Sequence, residues 1–174
     1  NQLPTPTTPP AEITMTSSSP VPSPLPTIDP TTNWKTHKDE ANKYEIKYPQ
    51  DWYVLKRPGP VTGFSNNKSE EEENPIVVSI FKNTDVNLDS LNSRKKYFED
   101  EPEDYRLLED ITVDGKPGFE FEFLKKLQRE AMIAGDLNEA PQDIFTVFVT
   151  YDETQRDNAI GIYQGILSTF KFLD

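Results

Sequence analysis

The residues able to do chemistry in this chain are few in kind. One histidine, His37, stands between Lys35 and Lys38, and cysteine is absent. Nucleophilic hydrolysis needs a Ser, Thr or Cys beside a base. A lone imidazole flanked by lysines on an edge strand reads as an exposed polar residue rather than as that base. Without cysteine there is no disulfide, no thiolate metal site and no thiol nucleophile. No glycine-rich phosphate loop occurs, and Gly115 and Gly118 belong to hairpin chemistry. Carboxylates are abundant, with 30 Asp and Glu residues. A close pair could carry acid–base catalysis, but most lie in exposed acidic runs that give no reason for a raised pKa. Calcium asks for oxygens converging from a shaped loop with Gly at its sharp turn. The runs Glu70–Glu73 and Glu99–Asp104 lack that pattern and read as solvated charge. The expectation is a chain that is not an enzyme, needs no cofactor and holds no metal.

The formal net charge is −12. That excess disfavours nucleic acid, whose phosphates require clustered Lys and Arg, and direct binding to anionic headgroups. No apolar run is long enough to span a bilayer, so a membrane link would run through an anchor outside this chain. The first residue is Asn, and the chain reads as a mature or truncated product whose targeting segment has gone. What remains for recognition is aromatic and acidic surface. Trp34 and Tyr53 are candidate partner-binding residues because large aromatics dominate contact energetics. Trp52, behind the Pro49 turn, reads as core. Glu120 and Glu122 share one face of a strand whose other face carries Phe119, Phe121 and Phe123. The Phe face reads as core, and the Glu face as solvated first and partner-binding second.

These residues sit on a chain of two unlike parts. Residues 1–33 hold nine of the 16 prolines and no aromatic residue, Lys or Arg. Such a stretch cannot bury enough apolar surface to offset chain entropy, and its proline density favours extended polyproline II. It reads as a disordered stalk that displays residues 34–174, a single domain. Within the domain, residues 34–38 and 44–48 read as strands, the second by its Tyr44, Ile46, Tyr48 alternation. Residues 52–56 read as extended, and 57–75 as loop with a short strand around Phe64. Ile76–Phe81 reads as a central strand buried on both faces. Residues 88–98 read as a helix with Asn87 as its N-cap. Arg106–Val113 and Gly118–Leu124 form a hairpin around Asp114-Gly115. Residues 129–142 read as loop or irregular helix, Ile144–Tyr151 as a strand, and 157–169 as a helix capped by Asp157. Gly161 and Gly165 inside that helix imply a close approach to the sheet. The order indicates a mostly antiparallel sheet with helices packed on it.

Three phrases together carry a family resemblance. They are Trp34-Lys35-Thr36 followed by Tyr44 through Trp52, the Gly115–Phe123 hairpin with alternating Phe and Glu, and Ile166 through Phe172. This arrangement resembles the PsbP-like domains of bacterial exported and lipid-anchored proteins, over residues 34–174. The resemblance implies an α+β fold, an α/β/α sandwich around a twisted, mostly antiparallel sheet. It also implies an extracytoplasmic site, at a bacterial cell surface or in a periplasm, reached through an N-terminal anchor. The name-giving members assist photosynthetic water oxidation, and no residue motif for that role is present. The resulting expectation is a non-catalytic interaction or assembly-accessory domain whose partner is a protein or cell-envelope component. The alternative is an exported small-ligand or metal-binding protein. Oligomeric state is left open.

Overall fold

Seven strands form one antiparallel sheet, and the two strongest apolar runs of the sequence lie side by side at its centre. The computed structural model describes residues 29–69, 75–83, 88–135 and 143–173. Its strands are β1 (Lys35–Asp39), β2 (Tyr44–Tyr48), β3 (Tyr53–Lys56), β4 (Val61–Ser65), β5 (Val77–Asn83), β6 (Tyr105–Val113), β7 (Lys116–Phe123), β8 (Gln128–Ala134), β9 (Ile144–Thr150) and β10 (Lys171–Phe172). The helices are α1 (Leu88–Asp100) and α2 (Arg156–Thr169). The large sheet runs β3-β4-β5-β9-β8-β7-β6, and a small sheet runs β1-β2-β10. Every neighbouring pair is antiparallel. No described helix is long and apolar enough to cross a membrane.

Period-two side-chain placement divides the core between the two faces of the large sheet. On one face α1 lays Leu91 and Phe98 against Phe119, Phe121, Met132 and Ile144. Phe98 stacks on Phe121 with ring centroids 4.0 Å apart. On the other face α2 and the small sheet bury Tyr44, Ile46, Tyr163 and Ile166 over Val78, Ile80, Val147 and Val149. This is the α/β/α sandwich expected from the sequence. Trp52 is buried, as expected.

Local chemistry accounts for most boundaries. Asp114 and Gly115 both have positive φ, 48° and 78°, the geometry a two-residue hairpin turn needs to match strand twist. The short strand at Phe64 is real. The stretch read as loop or irregular helix is corrected. Residues 128–134 form β8, paired with β7 on one side and β9 on the other. Its Gln-Arg-Glu-Ala-Met-Ile-Ala sequence has weak strand propensity, and burial between two neighbours overrides it. The entry to α2 also differs. A 3-10 turn, Glu153–Gln155, precedes the helix and is capped by Asp152, whose carboxylate accepts from Thr154 N, while the N-cap position of α2 itself is Gln155, without a side-chain cap bond, and not Asp157. Asn87 and the acidic run Glu70–Glu73 lie outside the described residues.

The described chain starts inside the segment read as stalk. Asp29 Oδ1 accepts from the backbone N–H and hydroxyl of Thr31, a turn that buries Thr31. Trp34 then folds over α2. A Cβ on Gly165 would lie 2.5 Å from the indole, so only glycine admits the ring there. The close approach expected of Gly165 is therefore to Trp34. Gly161 faces open space.

Phe121 is fully buried and stacked on Phe98. Phe121→Ala should destabilise the fold by about 3–5 kcal/mol, the range for deleting a buried aromatic, measured by equilibrium urea denaturation.

Candidate interaction site

The acidic face of β7 is not solvated. Glu120 and Glu122 are 3% and 7% exposed because α2 covers that side of the sheet, which corrects the expectation of a wet face. A carboxylate taken out of water needs a cation and hydrogen bonds, and the fold supplies both. Arg129 on β8 donates to Glu120 Oε2 at 2.6 Å. Arg156, at the start of α2, reaches Glu122 Oε1 at 3.0 Å, and Arg106 on β6 holds Glu122 Oε2. Three elements thus converge on two glutamates of one strand. Tyr163 of α2 lies beneath, fully buried with the Arg129 guanidinium 6.0 Å from its ring centroid. Burial, then the neighbouring Glu120 charge, hold the Tyr163 phenol well above its ordinary pKa, so it stays protonated.

Glu130 on β8 projects from the opposite face, between its cross-strand neighbours Phe121 and Phe148. The Gln128 side-chain amide donates to it. Burial dominates, and its pKa is pushed up to about 7. No described residue gives it the arginine that Glu120 and Glu122 have.

Tyr53 and Val54 stand on β3, an edge strand of the large sheet, and are 40% and 39% exposed. Lys68 lies over the Tyr53 ring, 5.7 Å from its centroid. Beside β3, an open cleft of about 710 Å³ separates the β1–β2 turn from the β3–β4 hairpin. Its lining mixes Lys38, Glu40, Val54 and Lys56 with His37. His37 is half-buried rather than exposed. Its ring meets Phe64 edge-on at 5.2 Å, and burial lowers its pKa while Asp39 opposes that shift. The imidazole is therefore neutral at pH 7.

The four residues singled out from sequence do not form one patch. Tyr53 is on the β3 edge, Trp34 is half-buried on α2, and Glu120 and Glu122 belong to the ion-pair network. Arg106, Arg129 and Arg156 escaped the sequence reading because no spacing links them. The one available signal was that a strand alternating Phe and Glu can be covered on both faces. Among the described residues no three His, Asp or Glu side chains gather as a metal site.

Two substitutions separate the network's members. Glu120→Ala strands Arg129, whose side chain is only 13% exposed, and should cost on the order of 3 kcal/mol in denaturant titration. Glu122→Ala strands two arginines that are 56% and 42% exposed, and should cost about 1 kcal/mol. Glu130 gives a pH signature of the opposite kind to a salt-bridged acid. Its folded pKa lies above its unfolded value, so the folded state binds the extra proton between about pH 4.5 and 7. Its contribution to stability therefore falls as pH rises through that window. Glu130→Gln should remove this slope and stabilise the protein above pH 7, read from thermal midpoints across pH.

Residues 32–111 match the PsbP family model. The solution structure of the cyanobacterial PsbP (CyanoP) of Synechocystis sp. PCC 6803 is similar, at 15% identity and a TM-score of 0.50, covering 79% of this chain and 91% of that one. The crystal structure of the Saccharomyces cerevisiae Ran-binding protein Mog1p aligns at 14% identity and a TM-score of 0.49, covering 82% and 96%. Among curated proteins no sequence match is found. At these identities the likeness to CyanoP is one of fold.

Proposed function

Because the chain carries a PsbP-like domain, we propose that it is a non-catalytic interaction or assembly-accessory domain acting outside the cytoplasm, presented on the proline-rich residues 1–33 as a stalk from an anchor beyond this chain. The observation that carries the reading is the β3 edge. A short edge strand exposes an aromatic and a β-branched side chain beside an open cleft of mixed charge. Exposed aromatics at a polar rim are the anchors of protein interfaces. The lone histidine is packed against Phe64 and Tyr44 and held neutral, which suits a packing role better than that of a base poised for substrate. Tyr53 is the residue proposed to touch the partner directly. Trp34 braces α2, and Glu120 and Glu122 would serve recognition by holding α2 and β6 in place.

The test is site-specific photo-cross-linking. A benzophenone amino acid at Tyr53 in the full chain should yield a discrete cross-linked protein in native envelope extract, and the same group at exposed Glu153 should not. Equal labelling from both sites, or none from Tyr53, would overturn the reading. Tyr53→Ala should shift stability by less than about 0.5 kcal/mol, so that lost capture is not lost folding. Deleting residues 1–28 should leave the thermal midpoint unchanged if they serve only as a stalk; a marked fall would mean that they dock on the domain.

A further inference from the structure

Strand β6 is the other edge of the large sheet and is nine residues long. It pairs with β7 alone, and beyond Tyr105, whose N–H donates to Glu101 O, no described backbone group bonds to its outer side. A bulge between Leu107 and Glu109 resets its register. Before the bulge, Leu107 faces α1 opposite Phe121. After it, Glu109, Ile111 and Val113 face α2, while Asp110 and Thr112 face α1. The regular stretch Glu109–Val113 therefore offers an unpaired row of N–H and C=O groups.

A hollow opens on each side of that stretch. One, of about 220 Å³, lies between β6, β7 and α2, and includes Glu109, Glu120, Gln164 and Ser168 in its walls. The other, of about 300 Å³, lies between β6, β7 and α1, with Leu91, Asn92 and Phe119 among its walls. Ile111 and Thr112 border both. A strand added to a sheet edge sends alternate side chains to opposite faces. Here those side chains would enter the two hollows in turn.

The charges select the occupant. The α2-side hollow has two carboxylates in its walls and no Lys, Arg or His. Glu120 is 3% exposed, its Oε2 is taken by Arg129, and the protonated Tyr163 phenol neighbours it on the α2 side. A second copy of this chain would bring its own Glu109 and Asp110 against these, and like charges across a strand pair destabilise it. The net charge of −12 adds to that repulsion.

We infer that Glu109–Val113 of β6 is a strand-addition site for an extended basic segment of a partner protein, with a Lys or Arg side chain seated over Glu109 and Glu120 and a small or apolar side chain in the α1-side hollow. The inference rests on the proposed interaction role and adds where and how a partner docks.

The probe is a capped peptide alternating lysine and threonine, added to the full chain and followed by amide hydrogen exchange. Outward-facing amides within Glu109–Val113 should slow by about tenfold or more. The same peptide with alternate backbone amides methylated should not slow them, because it cannot extend the ladder. A glutamate–threonine peptide should also fail. Glu109→Lys, at an exposed position, should abolish the protection while leaving the thermal midpoint unchanged. Equal effects from the methylated peptide would reduce the interaction to general charge attraction and overturn the inference. So would protection centred on β3, or concentration-dependent protection of β6 without peptide, which would mean self-pairing. Cross-linking from Tyr53 with β6 unprotected would sink this inference alone; cross-linking that fails at Tyr53 with β6 protected would sink only the β3 edge as the docking surface.

Discussion

Strand β7 is covered on both faces, and this one constraint organises the domain. Its Phe side packs under α1, and its Glu side under α2. Two carboxylates are thereby drawn out of water one strand in from the β6 edge. They can remain only if cations arrive from elsewhere in the chain. Arg129 comes from the neighbouring strand, Arg106 from the edge strand, and Arg156 from the first turn of α2. The network therefore fixes where α2 begins relative to the sheet. A misplaced helix would take Arg156 from Glu122 and leave that carboxylate with Arg106 alone. Ion pairs of this kind add little net stability over apolar packing, although removing one partner of a buried pair is costly.

The two faces of β8 show how differently the fold treats buried acids. Arg129 points to the α2 side and neutralises Glu120. Glu130, one residue on, points to the α1 side and meets aromatic neighbours with only an amide donor. The first arrangement pairs a carboxylate with a guanidinium; the second raises the Glu130 pKa towards neutrality. What a buried acid meets thus depends on which face of the sheet it occupies.

Much of this architecture was legible in the sequence, where local and tertiary preferences agree. The Asp114-Gly115 turn, the apolar runs of β5 and β9 and the helical period of α2 each carry their own signal, and each stands where it was expected. Strand β8 carried none. Alanine, glutamate and glutamine favour helix, and a strand built from them forms only because β7 and β9 flank it. The error about the acidic face has a different source. Alternation tells which residues share a face but not what covers it, and the packing of α2 over Glu120 and Glu122 leaves no local signal. Of the residues proposed for recognition, Tyr53 was legible as an aromatic on a short strand. The arginines were not, because ion pairs between residues 9 to 34 positions apart leave no spacing rule.

The edges of the large sheet follow a different logic from its centre. An unpaired strand invites indiscriminate pairing, and proteins shorten, bulge or charge such strands to prevent it. The edge at β3 is four residues long, which limits the backbone it can offer. The edge at β6 is more than twice that length and carries both a bulge and the adjacent carboxylates Glu109 and Asp110. Lys95 of α1 pairs with Asp110, so the α1 side of β6 is near neutral. Glu109, on the α2 side beside Glu120, has no such cation in its hollow. Charge of one sign excludes another copy of the same acidic chain, yet it does not exclude a cation. The protection is therefore selective, and the arginines that settle the buried glutamates leave the acidic rim of β6 unsettled.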